Sequence, residues 1–240
     1  VVALGTQGFA ELASAPAAVA VKLPDDVAFD TAASMPLNYL TAHHGLHDRA
    51  RLAAKETVVV IGAAGGVGSA AIQVARAHGA RVVAAASTEE KRAFAMQCGA
   101  DATIDTNPDG WRDRLKPLCG GKGPDVVFDP VCGALFEPAF RSLVWGGRHL
   151  VVGFVGGIPA LPANLPLLKG AALVGVDVRQ FMLLENAKAR VALNTLVAQV
   201  GAGALAPPVG RLIPFEKFAE ALRLAGSGTS TGKVVLAVAG

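Results

Sequence analysis

Residues 58–68 read Val-Val-Val-Ile-Gly-Ala-Ala-Gly-Gly-Val-Gly. A β-rich run that ends in small residues and opens at once into an Ala-rich helical stretch can hold a phosphate. Small residues let the backbone approach the ligand, and the first-turn amides and the helix dipole face its charge. Taken as a fingerprint the segment is AxGxxG, with Ala63, Gly65 and Gly68 at the marked positions. Gly65 and Gly66 allow close approach to a pyrophosphate, and Gly68 lets the helix pack on its strand. The same residues could form a tight strand–helix turn without ligand. The regular alternation around them favours a dinucleotide.

About twenty residues further on, the second strand ends Ala85-Ala86-Ser87-Thr88, where an NAD enzyme usually places an acid for the ribose hydroxyls. The acids come later, at Glu89 and Glu90, and Lys91 lies one turn after the hydroxyls. A small hydroxylated edge with a nearby ammonium suits a 2′-phosphate, which a carboxylate would repel. NADP(H) is therefore expected rather than NAD(H). The bland alternative for Lys91 is a solvated helix charge.

His43, His44 and His47 could suggest a metal, since His43 and His47 stand at i, i+4. No HExxH glutamate lies between them, no cysteine is near, and zinc needs three or four ligands. A solvated helix face is the expectation, with no metal. Cys98, Cys119 and Cys132 are odd in number and lack CxxC spacing, which fits reduced thiols. Tyr39 could donate a proton, but packing is the better reading. No catalytic acid or base can be named from the sequence.

The elements that position these residues follow from periodicity. Apolar β-rich runs at 57–62, 81–86, 102–105, 125–129, 148–153 and 171–178 alternate with helical stretches at 66–78, 89–98, 107–118 and 135–143. Phe94, Met96 and Cys98 share helical faces in part. Asn107-Pro108 is expected to open the third helix as N-cap and first turn, with Trp111, Leu115 and Leu118 facing inward. Such βαβ units imply an α/β fold, a doubly wound parallel six-stranded Rossmann sheet. Hydrophobic residues at 52%, charged residues at 17% and 28 glycines suit strands buried on both faces. After Phe181 come a long helix, Pro207-Pro208, a strand near Arg211, a helix with Phe215, Phe218 and Leu222 on one face, and a closing strand. This tail and Val1–Val21 read as parts of a second domain.

The net charge of +3 is scattered, which argues against nucleic acid. No apolar stretch of membrane-spanning length runs unbroken, and no secretory signal is visible, so a soluble cytoplasmic protein without a membrane partner is expected.

Asn38-Tyr-Leu-Thr-Ala42, Gly62-Ala-Ala-Gly-Gly-Val-Gly68, Asp125-Val-Val-Phe-Asp-Pro-Val131, Val151-Val-Gly-Phe154 and Thr231-Gly-Lys233 together resemble the zinc-free NADPH:quinone oxidoreductases. These form the zeta-crystallin-like branch of the medium-chain dehydrogenase/reductase superfamily. The resemblance runs in order along essentially the whole chain. It implies a GroES-like β-domain, here incomplete, formed by residues 1–39 and 183–240, and an NADPH-binding Rossmann domain at 40–182. Roughly 85 residues of the β-domain are expected ahead of Val1, leaving the 240-residue chain poorly active.

Carried over residue by residue, the resemblance places Thr41 by the nicotinamide and Ala64, Gly65, Gly66, Val67 and Gly68 around the pyrophosphate. It places Ser87, Thr88 and Lys91 on the 2′-phosphate, Val131 beside the adenosine ribose, and Gly153, Phe154 and Val155 at the nicotinamide border. Thr106 stands where the family often carries a ring against the adenine. The family's Pro-Val-Gly-Gly is Pro130-Val-Cys-Gly133 here, so Cys132 is either a redox-sensitive neighbour of the cofactor or a small buried thiol. The stretch Ser34–Tyr39 lacks the Cys that zinc-dependent relatives place there. The implied reaction is hydride transfer from NADPH to a quinone or other electron-poor acceptor. The alternatives are enoyl thioester or alkene reduction, and a non-catalytic crystallin-like role. A homodimer through the edge strand 171–178 is also implied.

Overall fold

The structure is a computed structural model and describes residues 1–5 and 8–238. Thr6, Gln7, Ala239 and Gly240, which fall in the expected β-domain remnant, lie outside the described residues. The chain forms two compact units, Val1–Leu40 with Val178–Gly240, and Thr41–Asp177. The divisions at 40/41 and 177/178 put Leu40 and Val178–Met182 with the first unit, where the family resemblance implied bounds at 39/40 and 182/183.

The first unit begins with β1 (Val2–Ala3) and β2 (Ala20–Val21), which pair antiparallel. Then follow α1 (Phe29–Ser34) and α2 (Pro36–His43), whose last residues, from Thr41, belong to the second unit and lead into its π-helical segment, His44–Arg49. The second unit holds β3 (Thr57–Ile61), α3 (Gly66–Ala77), β4 (Arg81–Ala85), α4 (Glu89–Gln97), β5 (Ala102–Ile104) and α5 (Trp111–Leu118). It continues through β6 (Val126–Asp129), α6 (Phe136–Ser142), β7 (Arg148–Val151), α7 (Asn164–Lys169) and β8 (Ala172–Gly175). The first unit resumes with α8 (Val178–Leu184), α9 (Asn186–Gly201), β9 (Val209–Pro214), α10 (Phe218–Gly226) and β10 (Lys233–Ala237), with β9 and β10 parallel.

The sheet of the second unit is six-stranded, ordered β5-β4-β3-β6-β7-β8, and parallel throughout. It is an α/β Rossmann-type sheet. Order reverses between β3 and β6, so the crevice at their carboxyl ends is the natural ligand position. Val58, Val59, Val60 and Ile61 are all buried, as are Val82, Val83, Ala84 and Ala85. Alternate strand residues Val59, Ile61, Val83, Ala85 and Val127 share one core with Trp111, Leu115, Phe140 and Leu143. Such burial on both faces is what the continuous Val/Ala runs require. At the amino edge, Arg148 holds Glu56 through two 2.8 Å hydrogen bonds, and its Nε donates to the Ala50 carbonyl. Burial pushes the Glu56 carboxyl up, yet the Arg148 and Ala53 hydrogen bonds prevail and hold it below its ordinary range.

Several local expectations are corrected. Asn107 does not cap α5. The helix starts at Trp111 behind Gly110 at φ 61°, while Asn107 Oδ1 accepts from Asp109 N in an Asx turn. That turn moves the chain round so that Trp111 is buried and its Nε1 donates to the Asp105 carbonyl. Leu115 is buried as expected and Leu118 partly so. In α4 the buried residue is Ala95, and Met96 is exposed. The expected solvated histidine face holds only for His47, which is exposed with Nδ1 3.4 Å from His78 Nε2; His43 is half-buried, and His44 is buried with Nδ1 2.8 Å from Asp48. Burial first, then His47, lowers the pKa of His43 to about 4, so the ring is neutral. In the tail, Phe215–Lys217 is a 3-10 turn, Phe218 and Leu222 are exposed, and the buried residue of α10 is Ala221.

The crossing of α3 over β3 is set by Gly68. A Cβ there would stand 2.2 Å from the Gly62 carbonyl oxygen and 2.8 Å from Ala63 Cα, both backbone atoms with little freedom to yield. A Cβ on Gly65 would meet the same oxygen at 3.4 Å, an ordinary contact. Gly68→Ala should therefore lose about 3 kcal/mol of stability or more in equilibrium urea unfolding, and Gly65→Ala well under about 1 kcal/mol.

Candidate nucleotide site

The glycine turn begins at Gly62, whose φ of 64° few side chains tolerate. Gly65 N donates to the Gly62 carbonyl and Ser69 N to the Gly65 carbonyl. Gly65 is the N-cap of α3 and offers no side-chain cap, and there is no acid in the first turn. The amides of Gly66, Val67 and Gly68 therefore lie in a helix N-terminus left open to an anion. Ala64 is buried beside them, and Gly65 is exposed.

Two further turns interlock with this one. Val131 lies so close to Gly62 that a Cβ there would meet Val131 Cγ2 at 2.7 Å. Gly156 N donates to the Val131 carbonyl, and Gly153 packs against the Pro130 carbonyl, where a Cβ would stand 2.8 Å from the oxygen. The turns after β3, β6 and β7 thus form one wall at the carboxyl edge. Phe154 and Val155 are exposed on the last of them, at 58% and 87%. The β4 end joins the same edge, because Ala63 N donates to the Ala85 carbonyl and Ala86 N to the Ile104 carbonyl. Ser87 and Thr88 are exposed there, and Lys91 and Thr106 half-buried. Thr41 is not part of the interlocked turns; it is buried in α2, as Tyr39 is.

The Thr88 hydroxyl is already engaged: it caps α4 by accepting from Lys91 N at 3.3 Å. Its hydrogen bond to Glu90 also lowers that exposed carboxyl's pKa. This leaves Thr88 a helix-start role that its neighbours in sequence did not reveal.

Asp129 and His149, unassigned by sequence, organise the β6 turn. Asp129 Oδ1 accepts from Val131 N at 2.9 Å and Cys132 N at 2.7 Å, and Oδ2 lies 3.1 Å from His149 Nε2. Both side chains are fully buried. His149 Nδ1 has no partner among the described residues, so the economical tautomer carries its proton on Nε2 and donates to Asp129. Phe136 and Phe140 enclose the ring. The available sequence signal was an Asp at a strand end ahead of a proline, a turn-forming pattern.

A zinc-binding dehydrogenase family model matches residues 66–194. Quinone oxidoreductase-like protein 2 of Rattus norvegicus is 36% identical over 219 residues, 90% of this chain and 63% of that protein. The quinone oxidoreductase of Homo sapiens is 34% identical over 233 residues, 95% of this chain and 69% of that protein. This chain belongs to the quinone oxidoreductase group of the medium-chain dehydrogenase/reductases. Among solved structures, the quinone oxidoreductase of Thermus thermophilus, described alone and with NADPH, has a TM-score of 0.88 and 34% identity, covering 98% of this chain and 76% of that one. The chain spans about 63% of the length of the first relatives.

The backbone at Cys132 is unusual for a residue with a side chain. At φ 61° and ψ −116° it occupies a region that glycine enters freely. The thiol is buried and donates to the Gly153 carbonyl at 3.1 Å. Burial first, then Asp129, pushes its pKa up to about 12, which favours the protonated thiol. The redox-sensitive alternative loses ground to the buried-thiol reading. Cys119 and Cys98 are likewise pushed up by burial, to about 12 and about 11. Cys132→Ala keeps the strained backbone and loses the hydrogen bond, whereas Cys132→Gly removes the strain. The glycine variant should exceed the alanine variant in unfolding free energy by about 1 kcal/mol or more, measured by urea titration.

Proposed function

We propose that the second unit binds NADPH along the carboxyl edge of its sheet, and that the complete enzyme passes hydride to a quinone or other electron-poor acceptor without zinc. The observation that carries this reading is the interlocked wall of three turns around an uncapped helix N-terminus. Gly65, Gly66, Val67 and Gly68, with Ala64, would hold the pyrophosphate through amides and helix dipole. Val131 would border the ribose, and Gly153, Phe154 and Val155 the nicotinamide, with Thr41 near it. Ser87 and Lys91 would favour the 2′-phosphate, with Thr88 fixing the start of α4 and Thr106 flanking the adenine.

The residues present suit this cofactor. The β4 end, Ala85-Ala86-Ser87-Thr88, carries no acid, and the glycine turns leave space that side chains would fill. Bound NADPH would supply the hydride. The protein's part would be to orient the cofactor, stabilise its phosphates and keep water from the transfer. The reading without zinc rests on Ser34–Tyr39, which contains no Cys, His or acid. Among the described residues, no group of three or more His, Cys, Asp or Glu is placed to hold a metal. No helix among them is long and apolar enough to cross a membrane. The first unit corresponds on this reading to part of a GroES-like domain, and the setting is cytoplasmic.

Chelator-treated chain, titrated by fluorescence, should bind NADPH more tightly than NADH, and Lys91→Ala should narrow the gap by roughly 1–2 kcal/mol. Equal affinities in the unsubstituted chain would refute the cofactor choice.

We also propose a homodimer through β8. This strand is at the sheet edge, and Ala172, Leu173 and Gly175 are exposed. An apolar edge of that kind invites pairing across a two-fold axis, where one change counts twice. Val174→Lys should yield monomers in light scattering while the unsubstituted chain gives dimers. Val176 is unsuitable for this test, because it is buried against Gly45 in the core.

A further inference from the structure

Of the three cations near the carboxyl ends of β4 and β5, Lys91, Arg92 and Arg114, the arginines differ in how their donors are used. Arg114 is committed: Nη1 donates to the Asp109 carbonyl, and Nη2 to Asp105 Oδ1 and the Asn107 carbonyl. Its buried Nε has no partner among the described residues, so it is enclosed rather than turned to a ligand. Arg92 is different. It lies one turn after Thr88, and helical side chains lean back toward the helix start. Its Nη1 donates to the Ala86 carbonyl at 3.1 Å, which fixes the guanidinium at the last ladder residue of β4. Among the described residues its other two nitrogens make no hydrogen bond to protein. It is half-buried, so its plane is restrained and one edge is open.

Two carboxylates, Asp105 and Glu90, are close enough to feel the Arg92 charge, and neither forms a hydrogen bond to it among the described residues. Asp105, the first residue after β5, is bound by Asn107 N at 2.9 Å and by Arg114 at 2.9 Å. Both bonds fall on Oδ1, so Asp105 is anchored in the β5–α5 turn while its charge still acts on Arg92 without a hydrogen bond. Arg92 thus presents a restrained planar fork at the strand end where a Rossmann site meets the ribose 2′ position. Lys91 is a flexible point charge by comparison, and the Thr88 hydroxyl is taken by Lys91 N and Glu90.

We propose that Arg92 is the specificity-determining residue at this edge, forking the 2′-phosphate of NADPH through the guanidinium edge not used on Ala86, with Lys91 adding charge from the flank. This rests on the NADPH reading above and assigns its selectivity to a residue that the sequence pattern left among ordinary helix charges.

The test uses the full chain and two probes, 2′,5′-ADP and 5′-AMP, which differ only in the 2′-phosphate, with affinities read by calorimetry. Arg92→Met should weaken 2′,5′-ADP about 10- to 30-fold and change 5′-AMP by less than about twofold. Arg92→Lys, which keeps the charge but loses the fork, should fall between. Equal weakening of both probes would show that Arg92 only supports the β4 edge, and overturns the proposal. An unchanged preference in Arg92→Met, with loss of preference in Lys91→Met, overturns the Arg92 assignment and leaves the NADPH reading standing. An unsubstituted chain that binds neither probe, or prefers neither, overturns both.

Discussion

The close passage of α3 over the β3 turn is the constraint on which the rest depends. Gly68 brings the helix to within contact of the Gly62 and Ala63 backbone, so the first-turn amides emerge at the carboxyl edge of the sheet instead of being buried beneath it. Once the helix is seated there, Gly62 must take positive φ, Val131 comes against it, and the turns after β6 and β7 close on each other. The chemistry open to the edge follows from that packing. Amides with no internal partner need an acceptor, and an anion supplies it.

A second layer of order comes from one buried carboxylate. Asp129 is held by two backbone amides and His149, three donors on two oxygens, which is how a buried acid becomes tolerable. The result is a rigid β6 turn that keeps Cys132 in a backbone conformation costing on the order of 1–3 kcal/mol. Strain of this kind persists only where surrounding contacts over-determine the backbone, and the Cys132 thiol on the Gly153 carbonyl is one such contact. The wall is stiff because its polar groups are paired with each other. At the β4 end Arg92 keeps donors without a partner among the described residues, and selectivity for a charged group can reside there.

The six strands, their parallel sense and the glycine turn were legible from residue type and order. Periods of apolar runs and the glycines that interrupt them depend on local sterics that each short segment carries with it. The family could also be read from motifs in sequence order. Where local signals competed, the sequence misled. Asn107 can cap a helix or close an Asx turn, and burial of the Trp111 ring with its Nε1 on Asp105 decided for the turn. The His43–His47 spacing looks amphipathic, yet His43 and His44 pack inward, which only the three-dimensional neighbours could show.

What the sequence determined by itself was therefore the fold class, the strand–turn–helix position of the glycine turn and the small hydroxylated edge beyond β4. What only the tertiary structure decided was which polar groups are already spent. Thr88 is taken by its own helix, Asp105 by Arg114, Cys132 by Gly153 and His149 by Asp129, while Arg92 keeps donors to offer. The physical reason is that backbone propensity is a property of a few consecutive residues. Hydrogen-bond satisfaction depends on partners that the chain brings together from distant positions, as with Arg148 and Glu56, and no spacing rule records that meeting.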